Sequence, residues 1–213
     1  MRLKKHLAAV LFAAPVFACF GTPGAIIYDN TGPWLGGYGF TALEEGDEVH
    51  AGGDARFVTR LTIGVSMQNT PGTADFVARL YANNGPSGAP GDMLWQSPVM
   101  SHVSLSGGVQ LLAFDVPQVL VPNIFTWTLQ AANPSPVAVG LVNADPPTVG
   151  TSPAYDWFGS PGNWGKVQYS DWMARVEAVP EPAVVLWAAA GILVAGLRGL
   201  KARNPEATAG MKP

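Results

Sequence analysis

The chain has 213 residues, 12 Lys and Arg against 15 Asp and Glu, one cysteine, 25 glycines and 19 prolines. That length implies one domain between two end segments of different character. The 13 acidic and 5 basic residues between Ile26 and Val179 leave the body eight charges negative, which repels phosphate backbones and excludes a nucleic-acid partner. Cys19 is the only cysteine and lies in the leader, so the body has no disulfide, no thiol nucleophile and no cysteine metal site.

The first 25 residues have the layout of a secretory signal peptide. Arg2, Lys4 and Lys5 precede an apolar stretch from Leu7 to Phe20 that is too short and wrongly flanked for a stable span. Such a leader implies export through the Sec translocon. Cleavage fits after Ala18 or after Ala25. Val16-Phe17-Ala18-Cys19 is also similar to a bacterial lipobox, which would lipidate Cys19, although Phe17 stands where a small residue is usual.

From residue 26 to 178 Gly and Pro punctuate the chain every 8 to 12 residues, and the runs between them alternate rather than follow a helical period. Phe76, Ala78 and Leu80 oppose Val77, Arg79 and Tyr81. Phe125, Trp127 and Leu129 oppose Thr126, Thr128 and Gln130. Phe57, Leu61, Ile63 and Val65 are expected on one face, with Arg56, Arg60 and Thr62 on the other. Period-two alternation rich in β-branched and aromatic residues predicts half-buried antiparallel strands. They are expected near 25–29, 47–51, 56–67, 74–82, 92–96, 99–104, 109–116, 124–130, 137–142, 155–158, 164–168 and 171–177. The predicted fold class is all-β, an antiparallel two-sheet sandwich of jelly-roll type. Residues 69–73, 83–91 and 143–153 read as turn-rich connectors.

Few residues in the body suggest chemistry. His50 and His102 are its only histidines, neither beside a nucleophile elbow, and both read as exposed strand residues. The run Glu44-Glu45-Gly46-Asp47-Glu48 offers hard oxygen ligands but lacks the spacing of a calcium loop, so it reads as a solvated hairpin approach. Asn83, Asn84, Gly85 and Asp92 read as turn chemistry. No metal, cofactor or catalytic residue is assigned, and the body is expected to be non-enzymatic. Aromatic residues are the remaining lead. Tyr155, Trp157, Trp164 and Trp172, mixed with Asp156, Asn163 and Asp171, have the makings of a sugar site, flat apolar rings beside polar edges. The competing reading is that these rings fill the core. A glycoside hydrolase would need two carboxylates facing one cleft, a three-dimensional property.

The tail carries the most specific signal. Val179, Pro180, Glu181 and Pro182 form an extended junction, since proline cannot continue a helix. An uncharged apolar run from Ala183 to Leu197 follows, then Arg198, Lys201 and Arg203. Its 15 residues span about 22 Å as a helix, short against a hydrocarbon core of about 30 Å but extended by Leu200 and the stem of Arg198. A transmembrane helix is expected over this run, with residues 204–213 as a cytoplasmic tail.

Taken together, 179–203 resembles the PEP-CTERM sorting signal of Gram-negative bacteria. The resemblance implies recognition by an exosortase, a membrane cysteine protease, with Val179 to Pro182 as the recognition site and Arg198, Lys201 and Arg203 as the topology stop. The basic residues are dispersed, and Asn204 to Pro213 follow them, which leaves cleavage or retention of the tail open. Within the body, IIYDNTGPW, LYANNGPSGAPGDMLW and VPNIFTWTL are similar to exported bacterial β-sandwich domains that precede such tails. The expectation is an exported structural or adhesive protein that passes through the inner membrane to the envelope or extracellular biofilm matrix. The alternative is a carbohydrate-binding module for exopolysaccharide, with a glycoside hydrolase behind it.

Overall fold

A computed structural model describes residues 24–37, 43–67, 71–135, 139–144, 146–153, 155–167 and 171–181. The leader through residue 23 and the tail from Pro182 onward, with its apolar run and Arg198, Lys201 and Arg203, lie outside the described residues. Among the described residues no helix is long and apolar enough to cross a membrane.

The described chain is all-β. In chain order the strands are β1 (Ala25–Asp29), β2 (Trp34–Gly37), β3 (Glu44–His50), β4 (Phe57–Met67), β5 (Gly72–Ala82), β6 (Met93–Gln96), β7 (Met100–Leu105), β8 (Gly108–Leu120), β9 (Ile124–Ser135), β10 (Val139–Ala144), β11 (Asp156–Ser160), β12 (Asn163–Val167) and β13 (Ala174–Val179). A single turn of 3-10 helix, Pro86–Gly88, interrupts the β5–β6 connection.

All pairings are antiparallel and form two sheets. One runs β1-β13-β4-β10-β2, with β8 also on β4. Because β13 pairs with residues 57–63 of β4, β10 with 65–67 and β8 with nearly the whole strand, β8 occupies one edge of β4 and the other two share the opposite edge. The second sheet runs β12-β11-β3-β9-β5-β6, with β7 also on β5. One continuous apolar cluster joins the sheets: Leu61, Ile63, Val65, Phe114, Leu141 and Val176 from the first, and Val49, Phe76, Leu80, Phe125, Trp127 and Leu129 from the second. The alternation read from 76–81 and 125–130 therefore sorts side chains as expected, odd and even positions to opposite faces.

Three local departures have physical causes. The register of β4 slips between Val58 and Arg60: Thr59 is one residue too many against β13, whereas against β8 it faces three residues, 116–118. The extra residue reverses the alternation upstream, so Val58 is fully buried and Phe57 is only half-buried. Strand β2, with two glycines in four residues, lacks the β-branched pattern that announces a strand and, among the described strands, pairs with β10. The last strand begins at Ala174, later than its predicted start, because residues 171–173 are spent on separate bonds. Asp171 accepts from the Ala144 amide, Met173 donates to Val142, and Gly64 donates to Met173. That last contact leaves no room for a side chain at Gly64, whose Cβ would meet Met173.

Candidate functional site

The described residues gather polar and aromatic side chains in two places, on opposite faces of β3. Both are built from the acidic run 44–48, and neither is the solvated approach that its composition suggested. Glu44, Asp47 and Glu48 are 4%, 1% and 7% exposed.

On the face turned away from the core, Glu44 is the hub. Its Oε2 accepts from the Tyr81 hydroxyl at 3.0 Å and the Thr128 hydroxyl at 2.9 Å, and its Oε1 pairs with Arg79 at 2.8 Å. Arg79 is further fixed by Gln96 and Gln130, at 2.7 and 3.1 Å. Burial, then the charge of Glu44, pushes the Tyr81 phenol far up, so it stays a donor. Four residues along the strand, Glu48 accepts from Asn83 at 2.8 Å and from the Tyr155 hydroxyl at 3.1 Å, and bonds His50 at 2.9 Å. Thr126 donates to the Asn83 carbonyl oxygen at 2.8 Å, closing the network. Each carboxylate is saturated by neighbours, which is how buried charge is tolerated.

Aromatic rings from β11 and β12 lie over this network. Trp157 stands opposite Gly46 in register, Trp164 meets Tyr81 edge-on at 5.4 Å, and Tyr155 meets Trp157 edge-on at 5.9 Å. The Lys166 ammonium sits 3.1 Å from the Tyr155 ring centroid and 5.3 Å from that of Trp157, a cation–π contact. The four aromatic candidates are thus divided. Trp157 is 4% exposed, Trp172 is 1% exposed within the core cluster, and Lys166 covers one face of Tyr155. Trp164 is half-buried. Tyr155, Trp157 and Trp164 share one surface; Trp172 does not.

The second gathering faces inward, around Trp172. Asp47 and Asp156 are register partners on β3 and β11. The Trp172 amide donates to Asp47 Oδ2 at 2.6 Å, its indole Nε1 donates to Asp156 Oδ2 at 3.2 Å, and its carbonyl accepts from Asn30 at 2.9 Å. Burial raises Asp47 well above the carboxylate range, helped by the charges of Asp171, Asp156 and Glu45. Burial likewise raises Asp156 and Asp171, and takes Glu45 to about 7 with Asp156 adding to the rise. Position parity could have flagged this cluster, since Glu45, Asp47 and Val49 must share a face, but only pairing with β11 brings Asp156 beside it.

Elsewhere the residues do ordinary work. His102 has a side chain 86% exposed, and its amide donates to Asp75 at 2.7 Å. Asn84 and Asp92 bond each other twice, at 2.7 and 2.9 Å, and tie off their loop. A groove of about 310 Å³ opens between Ser97–Met100 and Ala113–Asp115. Among the described residues no three acidic, histidine or cysteine side chains converge to hold a metal ion. Of the predicted sorting motif, Val179 ends β13 opposite Phe57, and Pro180 and Glu181 are exposed.

No family model, no curated protein and no solved structure matches this chain.

Proposed function

We propose that this protein is an exported structural or adhesive module of the cell envelope or extracellular matrix. In this reading the body is a β-sandwich of jelly-roll type, and the tail is a membrane-anchoring signal handed to an exosortase-type protease. The observation that supports it is where the last described strand ends. Strand β13 lies between β1 and β4 and stays paired through Val179, and the next two residues, Pro180 and Glu181, are exposed. A protease needs an extended, accessible substrate segment, and this one starts directly after the final strand. Cutting there would leave every described strand pairing of the body intact. The test is the intact mass of the protein recovered from its host's envelope and medium. Loss of everything beyond the Pro-Glu-Pro is expected, and a mass retaining the chain to Pro213 in every fraction would refute processing.

One observation favours carbohydrate binding as a second reading. Half-buried Trp164 and Tyr155 share the outward surface of the second sheet with the exposed Lys166. Rings and a cationic donor on one surface suit a pyranose that carries a carboxylate. A panel of acidic and neutral polysaccharides tests it: Trp164→Ala would abolish binding while the urea midpoint stays within the range of a surface change, and a panel without hits would end the reading.

A further inference from the structure

The segment 171–173 bridges the two sheets. Its backbone bonds to the first sheet through Ala144, Val142 and Gly64, with an isolated bridge between Asn143 and Trp172. Its Trp172 amide and indole nitrogens bond carboxylates of the second sheet, on β3 and β11. These carboxylates are poorly compensated. The described ion pairs go to Glu44, Glu48, Asp29 and Asp75 instead. The charges acting most strongly on Asp47 are Asp171, Asp156 and Glu45, all acidic. From β1 the Tyr28 hydroxyl faces the same group. Asp47 Oδ1, Asp156 Oδ1, Asp171 Oδ1, Asn30 Oδ1 and the Tyr28 hydroxyl are all buried without a hydrogen-bond partner.

We propose that this carboxyl cluster is a proton-held clasp, which keeps Trp172 bridged across the sheets and releases it as the cluster ionises. Glu45, Asp47, Asp156 and Asp171 cannot all carry charge around one buried tryptophan when, among the described residues, the ion pairs go elsewhere. Burial and the charge of Asp156 keep a proton on Glu45, so Asp156 meets a neutral neighbour while it accepts from the indole. Losing that proton sets two carboxylates against each other, and the cheapest relief is to let water in beside Trp172. Protons fit better than a divalent cation, because Asp47 Oδ2 and Asp156 Oδ2 are already spent on nitrogen donors and no three acids converge on one point. The outcome is a sheet-to-sheet contact that is tight in mildly acidic surroundings and loose in alkaline ones.

The test is hydrogen exchange of the Trp172 amide in the full-length chain, kept in a mild non-ionic detergent with EDTA, from pH 5 to 9. Rates are corrected for intrinsic chemistry, and the Trp127 amide of β9 is followed beside it as the report on global opening. With Glu45 at about 7 when folded against 4.5 when free, an opening at Trp172 that frees Glu45 lowers protection by up to about 80-fold over that range. Asp47→Asn keeps an acceptor for the amide and removes a charge, so it flattens the fall. If that variant does not fold, Glu45→Gln removes the part due to Glu45. Protection of Trp172 that stays level from pH 5 to 9, or that never falls below that of Trp127, overturns the clasp, as do two variants that behave like the parent. Protection lost to EDTA at pH 7 and restored by calcium overturns it in favour of a bound cation.

Discussion

Replacing Glu44 by alanine is expected to destabilise the fold by about 4 kcal/mol. The change leaves the Tyr81 and Thr128 hydroxyls, both on fully buried residues, without their acceptor. Each unsatisfied buried group costs about 1–3 kcal/mol. Arg79 also loses its carboxylate, but its side chain is 14% exposed and it keeps Gln96 and Gln130, so its share stays below the 3–5 kcal/mol typical of an orphaned buried charge. Water entering the vacated space recovers part of the total. Glu44→Gln keeps an acceptor for the hydroxyls and gives up only the charge, so about 1–2 kcal/mol is expected from it. Thr128→Val, which removes one hydroxyl and leaves Glu44 two partners, should cost about 1 kcal/mol. Urea unfolding at neutral pH measures all three, with an unchanged slope as the sign that stability alone has moved. A loss under about 0.5 kcal/mol for Glu44→Ala, the range of an ordinary surface change, would show that the acidic run is solvated after all.

Global stability should fall as pH rises through the window of Glu45. A carboxyl raised from 4.5 to about 7 stabilises the fold fully below its unfolded value and loses that contribution on the way to its folded one, about 2.5 kcal/mol between pH 5 and 9. Urea midpoints across that range check it, and Glu45→Gln should flatten the curve. Asp29 works in the opposite direction. Despite the cost of its burial, the Thr31 hydroxyl and amide, then Arg175, hold it below the usual range. Arg175→Met is therefore expected to cost about 1 kcal/mol at pH 7, and the deficit should shrink as Asp29 protonates below pH 3.8. Gly46→Ala should not accumulate as folded protein, because the added Cβ would fall onto the Trp127 carbonyl. Normal yield and a native circular-dichroism spectrum for that variant would refute the close approach of β3 and β9.

Local alternation in the sequence determined the class of the protein and the inner face of its central strands. Phe76, Ala78 and Leu80, and likewise Phe125, Trp127 and Leu129, can be sorted by parity alone because a strand turns each successive side chain to the other face. The turns at 83–91 were legible for a similar reason, since Pro and Gly restrict the backbone locally. What parity cannot supply is the partner. Glu44 is buried because Tyr81 and Thr128, 37 and 84 positions away, arrive on neighbouring strands with donors for it, and an isolated acidic run contains no trace of them. Trp157 and Trp172 look alike in sequence, yet one lies over an outward carboxylate network and the other clasps two sheets. Pairing of β11 with β3, and of residues 171–173 with β10 and β4, assigned those places. One extra residue in β4 relative to β13 was enough to exchange Phe57 for Val58 in the core, and it is visible only once that partner strand is in place. Tertiary structure alone decided where charge could be buried, since the free energy of a buried carboxylate depends on the donors that surround it and not on its neighbours in the chain.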